Sequence, residues 1–217
     1  MKLTKQNRAI IAFPVFFFGA WLVYLYLTPV AICKSAVRSN NVELANFCLS
    51  LGMSANKSHF GRTLLHVAAA DSSISMVELL LQNGADPNLF SVVGSTPLHQ
   101  AVGSERLEIV SLLLKYGGSV YVVDDKGMTP LHWSVARSDT AITVFLIQNG
   151  ADVDARAVTG ATPLHLAAYS DQADHIEILL ENGAQLNAKT NSGRTPLDVA
   201  RDEGSINSTF VLKRLAN

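Results

Sequence analysis

Apolar residues recur along this chain in blocks of helical spacing, and the blocks themselves recur at one interval. Val77, Leu80 and Leu81, then Ile109, Val110, Leu112, Leu113 and Leu114, form stripes of the kind that bury one face of a helix. Gly84, Gly117, Gly150 and Gly183 close these runs and stand 33 residues apart. A second marker keeps the same beat: Thr63-Leu64-Leu65-His66, Thr96-Pro97-Leu98-His99, Thr129-Pro130-Leu131-His132, Thr162-Pro163-Leu164-His165 and Thr195-Pro196-Leu197-Asp198. Two motifs in phase make the chain a repeat array.

Within a unit, the motif threonine caps a first helix, and proline occupies the first helical position, where its missing N–H is no loss. Small residues follow, as in Ala68-Ala69-Ala70 and Ala167-Ala168, so a second helix can lie close. The second helix carries the apolar stripe, and the closing glycine supplies the left-handed turn that ends it. A hairpin follows, with Gly61, Gly94, Gly127, Gly160 or Gly193 at its tip. Each unit is therefore predicted to be two antiparallel helices and a projecting turn. One unit cannot bury its own apolar face, whereas a stack of them buries a continuous core.

The Thr-Pro-Leu-His motif, the alanine-rich turn and the closing Leu-Leu-x-x-Gly-Ala-Asp resemble the ankyrin repeat, over about Ser58 to Asn217. The resemblance implies an all-α solenoid of five units, at 58–90, 91–123, 124–156, 157–189 and 190–217. A degenerate capping repeat at 28–57 precedes them. In that cap the stretch from Asn41 to Gly52 reads as a second helix, with Thr28-Pro29 or Val30-Ala31-Ile32-Cys33 opening the first. The resemblance also implies that His66, His99, His132 and His165 are structural, each tying one unit's turn to the next. Asp198 in their place marks an end unit.

Ahead of the array, Lys2, Lys5 and Arg8 in a basic segment 1–8 precede an uncharged run at 9–27. Its 19 residues, as a helix at about 1.5 Å each, span roughly 28 Å, close to the hydrocarbon thickness. Trp21, Tyr24 and Tyr26 sit at its carboxyl end, as interfacial aromatic residues do. The run reads as a single transmembrane signal-anchor helix. A cleavable signal peptide, giving a secreted or periplasmic protein, is the competing reading, but its core is usually about 7 to 15 residues. No Gly/Ser/Pro-rich linker separates this run from the first unit, so the array is expected to lie against the bilayer. The basic amino-terminal side favours the cytoplasm, which places the array on the far, periplasmic face if the source is bacterial. Proteins with this arrangement look like small bacterial envelope proteins that hold or protect another protein.

Charge and chemistry narrow the function. A formal net charge of −1, with 17 basic and 18 acidic residues, gives no broad field for nucleic acid. The motif histidines are a whole unit apart, roughly 10 Å by helix-packing distance, and no metal at about 2 Å bridges that. Cys33 and Cys48 are too few for a disulfide framework; they fall on the two helices of the cap and read as buried free thiols, or as a pair in an oxidising compartment. No phosphate loop, nucleophile elbow or HExxH motif occurs. The expectation is no enzyme, no cofactor and no metal.

The positions that vary between units point to a protein partner. Two hairpins carry apolar residues where polar ones are usual: Leu89, Phe90, Val92 and Val93 in one, Tyr121 and Val123 in the next. First-helix positions, among them Gly103, Ser104, Trp133, Ala136, Arg137, Tyr169 and Ser170, line the concave side, and Trp, Tyr and Arg are the types enriched in binding hot spots. Trp133 also reads as partly core. The chain is thus expected to be a non-catalytic module tethered to a membrane through 9–27, holding an unidentified protein on its concave face and hairpin tips. The alternative is a structural subunit of a membrane complex.

Overall fold

The computed structural model describes residues 29–58 and 60–215. The basic segment 1–8 and the expected spanning run 9–27 lie outside the described residues. Every element among the described residues is a helix, and none of these helices is long and apolar enough to cross a membrane.

The helices come in pairs. The first pair is α1 (Pro29–Arg38) with α2 (Val42–Ser50), followed by α3 (Leu64–Asp71) with α4 (Ile74–Gln82). Next are α5 (Pro97–Gly103) with α6 (Leu107–Lys115), and α7 (Pro130–Ser134) with α8 (Ala141–Gln148). The last are α9 (Pro163–Tyr169) with α10 (Ala173–Glu181), and α11 (Pro196–Asp202) with α12 (Ile206–Leu215). Odd-numbered helices pack on one another in sequence, even-numbered ones form a second layer, and a finger-like hairpin projects between pairs.

Two leucine ladders run through the stack. Leu65, Leu98, Leu131 and Leu164 carry one in the odd-numbered layer, and Leu80, Leu113, Leu146, Leu179 and Leu212 carry the other; all nine are fully buried. Each repeats at the unit interval, and all nine belong to one continuous buried cluster. Burying one is worth about 1.5–3 kcal/mol. Leu197, at the equivalent position on α11, is only half-buried.

The histidines supply the polar half of the stacking. In α3, His66 Nδ1 lies 3.2 Å from the Thr63 backbone N and 2.7 Å from its Oγ1, while Nε2 lies 2.9 Å from the Ser95 carbonyl, 29 residues ahead. A backbone N–H only donates and a carbonyl only accepts, so the ring is the neutral tautomer with its proton on Nε2. His99, His132 and His165 repeat this arrangement with the carbonyls of Met128, Ala161 and Arg194. Those four carbonyls also accept the N–H that closes their own hairpin, from Ser91, Asp124, Ala157 and Thr190. Each imidazole therefore fastens one unit's first helix to the next unit's finger.

Burial lowers the pKa of all four rings from the ordinary 6.5, outweighing the hydrogen bond to the carbonyl, which raises it. Asp198 makes the inward half of the clip alone, its Oδ2 accepting from Thr195 N at 2.9 Å and Oγ1 at 2.7 Å. Those bonds hold its carboxyl below the usual range.

Cys33 and Cys48 are buried free thiols between α1 and α2. Burial, reinforced by the neighbouring Cys48, pushes the Cys33 thiol up to about 12, so it is no nucleophile at neutral pH.

Two neighbouring units bury polar side chains in the core. Helix α7 has five residues, and its buried end is polar: Thr143 Oγ1 donates to Ser134 Oγ at 2.8 Å, which donates to the Leu131 carbonyl at 2.9 Å. His175 of α10 is fully buried with neither ring nitrogen in a hydrogen bond. The Asp139 backbone is near enough to act on that ring electrostatically but lies outside bonding geometry, and burial again lowers the pKa.

Candidate functional site

The odd-numbered helices and the fingers face each other across a groove of about 750 Å³, open to solvent, in the carboxyl-terminal half of the array. It lies within the roughly 300–1,000 Å³ of ligand clefts. The fingers at 124–128, 159–161 and 190–194 form one wall and helices α7, α9 and α11 the other.

Trp133 is its fixed point. The indole Nε1 donates to Asp124 Oδ2 at 3.0 Å, and the ring meets His99 edge-on with centroids 5.5 Å apart and planes at 69°. Gly103 makes room for it, since a Cβ there would stand 3.1 Å from the ring atoms Cε3 and Cζ3. Asp124 is itself held, its Oδ1 accepting the N–H groups of Lys126 at 2.8 Å and Met128 at 2.9 Å. The finger and the helix are thereby joined through one carboxylate, which orients the indole before any ligand arrives. Trp133 is half-buried: it packs on the core and presents its remaining surface to the groove.

The residues singled out in the sequence fall in different places. Trp133, Arg137 and Tyr169 converge on the groove, and Tyr169 is 59% exposed there. Ala136 and Ser170 line it with them. Phe90 and Val93 are exposed on their own finger, at 58% and 59%, and Leu89 is half-buried; none of the three lines the groove. Val92 leans on the neighbouring tip while staying 73% exposed: its N–H donates to the Gly61 carbonyl at 2.9 Å, and its side chain occupies the space a Cβ at Gly61 would need. Tyr121 is separate again, in a cleft of about 200 Å³ with Leu114, Gly118 and Asn149. Val123 is exposed beside Asp124 and does not line the groove.

Lys126, Thr159, Asn191 and Arg194, which sequence reasoning did not single out, complete the finger wall. Their signal was positional. Lys126 and Thr159 hold equivalent sites before consecutive tip glycines, and Arg194 immediately precedes a Thr-Pro motif. Among the described residues, no group of three or more His, Cys, Asp or Glu side chains is placed to hold a metal ion.

A family model described as "Ankyrin repeats (3 copies)" matches residues 91–157, and models described as "Ankyrin repeats (many copies)" match 33–81, 65–114 and 146–200. The chain belongs to the ankyrin repeat family. Ankyrin arrays are protein–protein interaction modules and are generally non-catalytic, and the helix pairs, fingers and groove described above are those of such an array.

Curated relatives share the repeats. The ankyrin chain is 57% identical over 42 residues to BRCA1-associated RING domain protein 1 of Mus musculus, a match covering 19% of this chain and 6% of that protein. The Homo sapiens protein of the same name is 38% identical over 61 residues, 28% of this chain and 8% of that one. Mitochondrial disaggregase of Bos taurus is 45% identical over 60 residues, 27% of this chain and 9% of that one. The matches thus span less than a tenth of these relatives.

Proposed function

We propose that this protein holds a partner protein in the groove of its ankyrin array while a helix at 9–27 tethers the array to a membrane. The observation that carries the binding reading is the preset Trp133, gripped by Asp124 and His99 and flanked by the exposed Tyr169 and Arg137 in one continuous groove. A ring fixed in advance loses little freedom on binding, and Trp, Tyr and Arg are the side chains that dominate interface energies.

The tether rests on the 19-residue uncharged run and its aromatic end, and the placement of the array away from the cytoplasm rests on Lys2, Lys5 and Arg8 before the run. Helix α1 begins at Pro29, two residues beyond Leu27, which would keep the array near the bilayer.

The binding reading is tested by capture with the full-length chain. Tyr169→Ala with Arg137→Ala alters exposed side chains, so the melting temperature should hold while the captured protein is lost; undiminished capture refutes the groove. The tether is tested by carboxyl-terminal fusions in a bacterial host, where alkaline phosphatase should be active and a fluorescent protein that folds only in the cytoplasm dark. The reverse pair places the array in the cytoplasm.

A further inference from the structure

The groove is charged in a way the chain is not. Across the whole sequence acidic and basic residues nearly balance, 18 against 17, but the charged side chains on the groove wall are Lys126, Arg137 and Arg194 against Asp124 alone. Asp124 is 8% exposed and spends both oxygens on Trp133 and on the Lys126 and Met128 N–H groups, so it offers no acceptor to a ligand. Lys126 and Arg137 are exposed, and neither forms an ion pair among the described residues. Arg194 stands 3.5 Å from Asp202 with both side chains about half exposed, a pair worth little and readily exchanged.

We propose that the groove takes an extended acidic segment of the partner protein, its carboxylates meeting Lys126, Arg137 and Arg194 and an aromatic or apolar side chain settling between Trp133 and Tyr169. This rests on the groove being the binding site and adds the chemistry of what enters it. Lys126 and Arg194 lie on fingers two units apart, about 20 Å at helix-packing spacing, which about six extended residues span. Arg137 stands in the bend just past the end of α7, on the wall opposite the fingers, so carboxylates on alternating faces of one strand each find a cation. A single-stranded nucleic acid, which also combines negative charge with flat rings, needs a continuous basic track with successive stacking faces. Here the cations are few and widely spaced, and the groove lining offers the rings of Trp133 and Tyr169 rather than a succession of stacking faces.

The test titrates the full-length chain into a fluorescein-labelled glutamate–tyrosine copolymer, read by anisotropy. A lysine–tyrosine copolymer, polyglutamate and oligodeoxythymidylate serve as competitors. The proposal expects the glutamate–tyrosine copolymer to bind, polyglutamate to compete weakly and the lysine copolymer not at all. Lys126→Glu with Arg137→Glu should weaken binding at least about tenfold, the loss of two charge-assisted contacts. Lys115→Glu, on α6 and outside the groove, should change it less than about twofold and controls for nonspecific attraction. Equal losses in both variants, equal binding of the lysine copolymer, or tighter binding of the oligonucleotide would overturn the proposal. Those outcomes leave the groove reading intact, whereas partner capture that survives Tyr169→Ala with Arg137→Ala removes the reading itself.

Discussion

Mild acid should unfasten this array. His66, His99, His132, His165 and His175 are buried, and each has its pKa lowered from 6.5 chiefly by desolvation. For the four clip residues a proton on Nδ1 would also face the motif threonine's N–H, donor against donor. Such a group binds protons more readily in the unfolded chain, so stability is complete above the unfolded pKa and falls as pH drops through it. Between about pH 7 and pH 5.5 an unfolded histidine gains about 1.2 kcal/mol from protonation that a neutral buried one does not. Five give about 6 kcal/mol as a ceiling, a large share of the roughly 5–15 kcal/mol that domains possess. Urea unfolding of the full-length chain at a series of pH values measures this directly, because the slope of stability against pH counts protons taken up on unfolding. Replacing one clip, as in His99→Gln, should reduce that uptake by up to about one proton. A stability that stays level from pH 7 to 5.5, or an uptake the substitution leaves unchanged, would refute the reasoning.

Other perturbations separate packing from binding. Leu113→Ala in the buried ladder should cost about 2–5 kcal/mol in a denaturant melt; a loss under about 0.5 would mean that Leu113 is not core. His175→Leu removes two buried nitrogens without hydrogen bonds and should stabilise by about 1–3 kcal/mol in the same melt, with a decrease contradicting the packing described. Phe90→Ala with Val93→Ala should leave the melt within about 0.5 kcal/mol, since both are exposed; a larger loss would show that the finger packs on its neighbours. Asp124→Asn should weaken partner capture and change Trp133 emission together, because it loosens the indole's anchor; capture unchanged alongside altered emission would separate Trp133 from binding.

The stack was open to a reading of the sequence because its determinants are local and periodic. A Thr-Pro cap and a closing glycine act within a few residues, and both recur every 33 positions, so helix starts, helix ends and fingers repeat in register. The groove was harder to read because it is assembled across units. Trp133, Arg137 and Tyr169 were recognisable as residue types, but Lys126 and Arg194 sit on fingers whose role follows only from folding against helices of other units. Trp133 drew both a core and a surface reading, and Asp124 and Gly103 let it be both. The apolar fingers show the opposite limit. Val92 and Tyr121 look alike as exposed apolar residues in sequence, yet one covers Gly61 and the other lines a separate cleft. Nothing in the local pattern distinguishes those two fates.

Photo-crosslinking tests the central claim most directly. A benzophenone amino acid placed at Tyr169, inside the groove, and separately at Lys115, outside it, would be irradiated in the full-length chain in its host cell. The groove position should yield a discrete adduct with a partner protein, and the Lys115 position none. An adduct from Lys115 alone, or the same adduct from both positions, would contradict the claim that the groove is where this ankyrin array holds its partner.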